Sequence, residues 1–205
     1  MGAGAPGEGS RPERVSPINV ANLLTVLRLA LVPLFLIALF SGEDGDYGWR
    51  LVATALFALA ALTDQVDGWV ARSRGLITDF GKIVDPIADK ALIGAALLGL
   101  SLLGELPWWI TIVIIARELG VTLLRVIVIR HGVIPASRGG KAKTTAQIAA
   151  LLLFLLPLPS VLDPVSWTVM GLAVLLTVVT GIDYLVRALR AAARRRGDDS
   201  ATVEE

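Results

Sequence analysis

Six apolar stretches, each near the length of a membrane-spanning helix, dominate this sequence and limit the folds open to it. They run approximately over residues 20–40, 50–72, 83–103, 107–130, 144–160 and 165–187. A helix needs about 20 residues to cross a bilayer, and Pro157 and Pro159 make the fifth stretch the weakest. Only 18% of the residues are charged, against roughly 25% in ordinary soluble domains. The sequence therefore predicts an all-α integral membrane protein with six transmembrane helices.

The charges between these stretches predict which side of the membrane each loop occupies. Lys and Arg are concentrated in every second loop, at 72–82, 130–143 and 187–196. The intervening loops hold one basic residue between them, Arg50. Because loops rich in Lys and Arg stay on the cytoplasmic side, both chain ends are predicted to be cytoplasmic. We expect a multi-pass protein of the cytoplasmic membrane.

The two ends of the chain differ in composition from the middle. Residues 1–17 are rich in Gly, Pro and charge, and they predict a flexible cytoplasmic tail with no signal peptide before the first apolar stretch. Residues 191–205 predict a second, charged cytoplasmic tail. Residues 18–190 are expected to form one six-helix membrane domain that holds the active site. No internal repeat is visible, so a transporter built from inverted repeats has no support in the sequence.

The residue inventory excludes several kinds of site. The formal net charge is +1, so no excess of positive charge indicates binding to nucleic acid. The chain has no Cys and a single His, His131, which excludes thiolate nucleophiles and metal sites built from Cys or His. A metal site in this chain needs oxygen ligands, which favour hard cations such as Mg²⁺ or Mn²⁺.

Four aspartates lie inside the second and third apolar stretches, where carboxylates are costly. Asp64 and Asp67 are three residues apart, and Asp85 and Asp89 are four apart, so each pair lies on one helix face. Placing one such carboxylate in the membrane costs about 2.5 to 3.5 kcal/mol on insertion scales, which makes each aspartate a functional candidate. A short loop joins the two stretches and allows the four carboxylates to converge. Two divalent cations bound between the carboxylates would relieve the repulsion among them and would suit phosphoryl chemistry. The alternative is that the aspartates form ion pairs with Arg residues of neighbouring helices.

The segment from Asp64 to Lys90 has eight fixed positions in the pattern D-x2-D-G-x2-A-R-x8-G-x3-D-x3-D. It resembles the signature of the CDP-alcohol phosphatidyltransferases. The resemblance implies a six-helix membrane enzyme, often homodimeric, among membrane lipids. Such an enzyme transfers the phosphatidyl group of CDP-diacylglycerol to an alcohol, releases CMP and uses Mg²⁺ or Mn²⁺.

The resemblance also implies roles for individual residues. The four aspartates Asp64, Asp67, Asp85 and Asp89 would hold two divalent cations, and Asp89 would also be the general base. The remaining signature positions would line the donor pocket together with one of these aspartates: Asp67, Gly68, Ala71, Arg72 and Gly81. Asn22 and Thr25 in the first stretch are either further donor contacts or hydrogen-bonding partners between helices.

Three other segments resemble the bacterial phosphatidylglycerophosphate synthase branch of this family, which uses glycerol 3-phosphate as acceptor. They are the start of the first stretch (INVANLLT, with Arg28 and Pro33), IARE at 115–118 and GKAKTTAQ at 140–147. The cations expected to bind the acceptor phosphate are Arg117, Arg125, Lys141 and Lys143. For Arg117 the alternative is simple pairing with Glu118. Cytoplasmic loops are basic in any case, so the charge of the two lysines discriminates little.

Other functions remain open at this point. Inositol phosphate, phosphatidylglycerol and serine are acceptors used by relatives of the same family. A cation transporter that binds its ion at the aspartates would produce metal flux without CMP release. A non-catalytic scaffold is disfavoured, because nothing in it would require the spacing of the aspartates.

Overall fold

The computed structural model describes the backbone of residues 20–42, 46–74, 79–129 and 139–201. Side chains are described for residues 23–42, 46–63, 87–88, 90–124 and 142–190. The tail predicted at 1–17 lies outside these residues.

Within the described residues the chain forms six α-helices and no strand. They are α1 (Val20–Ser41), α2 (Tyr47–Arg74), α3 (Asp79–Leu102), α4 (Trp108–Ile129), α5 (Gly139–Leu155) and α6 (Asp163–Ala201). A short 3₁₀ turn, Ser160–Leu162, precedes α6. The predicted all-α fold and its number of helices are confirmed. Helix α6 continues into the segment predicted as a charged tail. Its 39 residues span about 58 Å, nearly twice the hydrocarbon thickness of a bilayer.

The outer faces of the helices are apolar, which is consistent with a membrane protein. On α1, Leu34, Ile37 and Phe40 are exposed although Phe35 is fully buried. The described segments Leu23–Ser41 and Ser160–Arg190 are long and apolar enough to cross a membrane. The apolar segments on α2, α3 and α5 are shorter, and the number of spans and their direction stay predictions.

The helices pack around one apolar core. Helix α1 packs along α2 and also contacts α3, while α6 packs on both α5 and α4. The aromatic rings of Phe35 and Phe57 meet at a centroid distance of 5.7 Å. Leu97 on α3 and Leu151 on α5 complete this buried layer. Ile114 on α4 and Met170 on α6 belong to the same cluster, so the core joins all six helices.

A helix-ending turn and an arginine side chain stabilise the end of the bundle at which α2 begins. Helix α3 ends in a Schellman turn, in which the Gly104 and Glu105 amides donate to Ser101 and Leu100 carbonyls at 3.1 and 3.0 Å. Gly104 has φ +74°, a conformation that other residues rarely adopt. The turn leads α3 directly into α4 on the neighbouring side of the bundle.

Arg50 at the start of α2 satisfies the C-terminal carbonyls of α5. Its Nε donates to the Leu155 carbonyl at 2.9 Å, and its Nη2 donates to the Phe154 carbonyl at 2.8 Å. The guanidinium also pairs with the carboxylate of Glu105. The last carbonyls of any helix lack partners within the helix, and in apolar surroundings they need an external donor. Arg50 therefore ties α2, α5 and the α3–α4 turn together.

We expect Arg50→Ala to destabilise the protein, because it leaves the Phe154 carbonyl without this donor and Glu105 without its cation. A buried acceptor left without a donor costs about 1–3 kcal/mol. Thermal unfolding in detergent should show a lower Tm. Arg187→Ala is the matched control, since Arg187 pairs with Asp183 on the exposed face of α6 and such pairs contribute about 0–1 kcal/mol. Equal Tm values for the two variants would contradict this role for Arg50.

Candidate functional site

The four signature aspartates lie on two adjacent helices. Asp64 and Asp67 are in α2, and Asp85 and Asp89 are in α3, which contacts α2. The predicted helical spacing therefore applies at all four positions. Their side chains lie outside the described residues, so the convergence of the carboxylates stays a prediction. Seven further predicted residues also lie outside the part of the chain whose side chains are described: Asn22 on α1, Gly68, Ala71 and Arg72 on α2, Gly81 on α3, Arg125 on α4 and Lys141 on α5.

The part of α1 that faces this region carries buried polar residues. Thr25 and Arg28 are one helical turn apart and are 1% and 0% exposed. Helices α1 and α2 pack along their length on either side of a short connection, so they run antiparallel. Thr25 lies about as many residues before that connection as Asp64 lies after it. By this count we expect Thr25 at the level of the first signature aspartate.

Arg117 and Lys143, two of the predicted acceptor-binding residues, meet at one carboxylate. Arg117 Nη1 is 3.0 Å from Glu118 Oε1, and Lys143 Nζ donates to the same oxygen. Lys90 Nζ lies 3.4 Å from Glu118 Oε2. These four residues, contributed by α3, α4 and α5, form what we call the cation cluster. Because three cations surround one carboxylate, the cation cluster carries two surplus positive charges.

A second contact fixes Arg117 against α6. Its Nη2 donates to Thr180 Oγ1 at 2.9 Å, and its stem passes over Gly181. A Cβ added at Gly181 would lie 3.0 Å from Arg117 Cγ and 3.4 Å from Nε. The absence of a side chain at Gly181 therefore gives the guanidinium its path between α4 and α6.

The GKAKTTAQ segment forms the first turns of α5 and directs two of its polar residues inward. Lys143 and Gln147 lie one turn apart, and both are buried. Gln147 Nε2 donates to Thr177 Oγ1 on α6 at 2.9 Å. Lys141 is in the same helix, but its side chain lies outside the described part of the chain. The segment thus attaches the Lys143 turn of α5 to α6.

A cavity of about 430 Å³ opens beside the cation cluster. Its polar wall consists of Lys90, Glu118, Lys143 and Thr144. Apolar residues of α1, α3 and α4 form most of the remaining wall, among them Leu36, Leu97 and Ile114. A ligand that is anionic on one side and meets hydrocarbon on the other fits this lining.

A second cavity, of about 490 Å³, lies at the opposite end of the bundle. Its charged residues include Arg50 and Glu105, which already bind one another. The cation in its wall, Arg50, is thus committed to structural contacts, whereas the cation cluster keeps surplus charge. The cavity beside the cation cluster is therefore the better candidate for an anionic ligand.

No three Asp, Glu or His side chains come close enough to hold a metal ion in the portion of the chain whose side chains are described. Of the carboxylates in apolar stretches, the signature aspartates are the group with metal-binding spacing. Their oxygen-only donor set is the one that hard divalent cations prefer. The aspartates fit such ions by chemistry.

Comparison with known proteins agrees with the signature. Residues 18–179 match the CDP-alcohol phosphatidyltransferase family, from just before α1 into the first half of α6. The chain belongs to the CDP-alcohol phosphatidyltransferase family. The resemblance predicted from Asp64 to Lys90 is thereby confirmed, and members of this family generally use divalent cations.

Similar proteins cover nearly the whole chain. A probable phosphatidylglycerophosphate synthase of Mycobacterium tuberculosis (strain CDC 1551 / Oshkosh) is 56% identical over 185 residues, 90% of this chain and 88% of the relative. A CDP-diacylglycerol–glycerol-3-phosphate 3-phosphatidyltransferase of Bacillus subtilis (strain 168) is 41% identical over 81% of this chain and 93% of its own length. A Rickettsia felis protein with the same name is 36% identical over the same shares.

The structure adds residues that the sequence analysis did not assign. Lys90 follows the last signature aspartate and joins the cation cluster, and Thr180 and Gly181 position Arg117. No family-like pattern in the last apolar stretch indicated a role for α6. Pairing of Arg117 with Glu118, the alternative considered from the sequence, is present. It does not remove Arg117 from the site, because the same carboxylate also binds two lysines.

Proposed function

We propose that this chain transfers the phosphatidyl group of CDP-diacylglycerol to glycerol 3-phosphate, forming phosphatidylglycerophosphate and CMP. The cation cluster is the observation that carries the choice of a phosphate-bearing acceptor. Its surplus of two positive charges suits a phosphate monoester, which carries about −1.5 to −2 charges at pH 7. The names of the similar proteins from M. tuberculosis and B. subtilis support the same reaction.

On the donor side, Asp64, Asp67, Asp85 and Asp89 would hold two divalent cations, either Mg²⁺ or Mn²⁺. Bound there, the cations would neutralise the donor pyrophosphate and stabilise the negative charge on the departing CMP. The rest of the donor pocket would be lined by Asn22, Thr25, Gly68, Ala71, Arg72 and Gly81. The buried position of Thr25, expected at the level of Asp64, supports its assignment to this pocket.

On the acceptor side, Arg117 and Lys143 would bind the phosphate, with Arg125 and Lys141 as further cations. Asp89 would take the proton from the primary hydroxyl of glycerol 3-phosphate, which attacks the phosphorus that bears the diacylglycerol. Lys90 is the next residue along α3, so the cation cluster and the proposed base are adjacent on one helix. With its phosphate held at the cluster, the acceptor would present its hydroxyl to Asp89, and this positioning is part of the proposal.

We further propose that the six helices span the cytoplasmic membrane with both ends in the cytoplasm and the site open to that side. The distribution of basic loops and the apolar outer faces support this arrangement. The predicted homodimer stays a proposal that rests on the family.

Purified protein supplied with CDP-diacylglycerol, Mg²⁺ or Mn²⁺ and a panel of acceptors tests the function. We expect CMP release and a phosphatidylglycerophosphate product with glycerol 3-phosphate, and none after chelation of the metal. If product forms only with inositol phosphate, phosphatidylglycerol or serine, that compound is the acceptor and not glycerol 3-phosphate. Metal flux through proteoliposomes without CMP release would instead identify a cation transporter.

Lys143→Ala and Arg117→Ala should raise the KM for glycerol 3-phosphate more than the KM for CDP-diacylglycerol. Losing one charge-assisted contact costs about 1.5–3 kcal/mol, which corresponds to a KM increase of about tenfold to hundredfold. Steady-state kinetics with each substrate varied in turn measures the two constants. Arg187→Ala, on the exposed face of α6, is the control. An increase confined to the donor KM would move these residues to the nucleotide side.

Gly181→Ala should disturb Arg117 without removing any charge. The added methyl group would lie 3.0 Å from Arg117 Cγ, and crowding of this kind costs about 1 kcal/mol or more. We expect the acceptor KM to rise about fivefold or more. Gly171→Ala on the same helix is the control, since nothing lies within 4 Å of the added atom there. If both variants show the wild-type acceptor KM, Gly181 has no part in positioning Arg117.

A further inference from the structure

We propose that Glu118 is a positioning residue for the anionic acceptor: it assembles cations from three helices into one anion-binding group and sets the charge of that group. This inference rests on the proposed function, because it assumes that the acceptor phosphate binds at the cation cluster. The sequence alone presents Glu118 only as a pairing partner for Arg117. The contacts of the structure give it a wider role.

Each of the three cations in the cluster contacts Glu118. Its Oε1 accepts from Arg117 and Lys143, and its Oε2 faces Lys90 at 3.4 Å. Each cation comes from a different helix, α3, α4 or α5. The carboxylate is therefore the point at which cations of the three helices meet, and two of them, Lys90 and Lys143, line the cavity beside it.

Burial explains why the cluster needs an anion at its centre. The side chain of Lys143 is only 6% exposed, and those of Arg117 and Glu118 are 16% and 19% exposed. Cations buried near one another repel and are costly to desolvate unless a counter-charge binds them. Without the Glu118 carboxylate, the ammonium of Lys143 would lose its hydrogen-bond partner and would be free to turn away. The three cations would then no longer be held together at one point.

Charge balance explains why one carboxylate, and not none or two, suits the reaction. The cluster with Glu118 ionised has two surplus positive charges, and a phosphate monoester brings about two negative ones. The filled site is then close to neutral, which is the condition for binding charge in a low-dielectric interior. An acceptor without a phosphate monoester leaves the cations uncompensated. Glu118 therefore tunes the site to phosphate monoesters as a class.

The three contacts are not equivalent, and the difference indicates where the phosphate binds. Lys90 has the longest contact with Glu118 and the most exposed side chain of the cluster, at 32%. Lys90 also lines the cavity, so it can bind a ligand while keeping its place beside Glu118. We assign Lys90 as the cation that contacts the phosphate from the side of α3, next to Asp89 in sequence.

The test compares Glu118→Gln with Glu118→Asp and with the matched control Glu105→Gln. Glu118→Gln keeps the shape but removes the charge, and should raise the KM for glycerol 3-phosphate about tenfold to hundredfold. The KM for CDP-diacylglycerol should stay at the wild-type value. Glu118→Asp keeps the charge on a shorter stem and should give an intermediate acceptor KM. Glu105→Gln removes the same kind of charge from the Arg50 pair at the far end of the bundle, and should leave both constants unchanged.

A wild-type acceptor KM in Glu118→Gln, or a parallel rise in both KM values, would overturn the inference. If Glu118→Gln does not fold, Glu118→Asp decides: a selective rise in acceptor KM supports the inference, and no selectivity overturns it. Failure of the proposed function looks different, because wild-type protein would then form no phosphatidylglycerophosphate from glycerol 3-phosphate. In that case the inference falls with the function, whereas an active wild type with an unaffected Glu118→Gln variant removes the inference alone.

Discussion

Asp64→Asn and Asp85→Asn should each reduce phosphatidyl transfer below detection. An amide keeps the shape of the side chain but removes the negative charge that offsets a bound cation, and hard divalent cations prefer carboxylate oxygens. One of these aspartates is on α2 and the other on α3, so each variant removes a ligand from a different helix. CMP release measures activity, and titration calorimetry with Mn²⁺ measures the accompanying loss of metal affinity.

Asp46→Asn is the matched control for these variants. Asp46 caps the start of α2, where its Oδ1 accepts from the Gly48 and Trp49 amides at 2.8 and 3.3 Å. Asn caps helices about as well as Asp, so the same substitution on the same helix should preserve turnover. Wild-type activity in Asp64→Asn or Asp85→Asn would contradict the two-metal proposal. An equal loss of activity in Asp46→Asn would indicate that the substitutions act by impairing folding and not by removing a metal ligand.

Asp89→Asn should retain CDP-diacylglycerol binding and lose the chemical step. If Asp89 is the general base, the other three aspartates remain to hold the metal and the donor. Removal of a general base alone costs typically about 10²- to 10⁴-fold in rate. Donor affinity and turnover should be measured on the same preparation, because only their combination separates the roles of Asp89.

Each outcome for Asp89→Asn has a distinct meaning. Retained donor binding with a lost chemical step supports the base, whereas parallel loss of affinity and turnover identifies a metal ligand. Normal turnover contradicts both roles. Asp183→Asn is the control, since Asp183 pairs with Arg187 on the exposed face of α6.

The fold class was predictable because helices in a membrane are specified locally. Long apolar stretches separated by short polar loops have few alternatives, since each backbone polar group must find a partner within its own segment. The sequence therefore predicted the six helices, with end points that differ mainly at α6. The signature from Asp64 to Lys90 was equally visible, because its residues lie on two consecutive helices. Family membership followed from the same short segment.

The contacts of the cation cluster were not predictable in this way. Lys90 and Lys143 lie 28 and 25 residues from Glu118, and Thr180 lies 63 residues from Arg117. Such contacts depend on how each helix is rotated about its axis. A soluble helix reveals that rotation by a polar face, but here the outer and inner faces are both apolar, as Leu34 and Phe35 on α1 illustrate.

The sequence by itself thus determined the number of helices, the four aspartates on α2 and α3, and the family. Only the tertiary structure decided that Glu118 gathers cations from α3, α4 and α5, and that Gly181 makes room for Arg117. The physical reason is the range of the interactions. Helix formation depends on residues three or four apart, whereas an anion-binding group inside a bundle depends on packing that brings distant turns of the chain to one point.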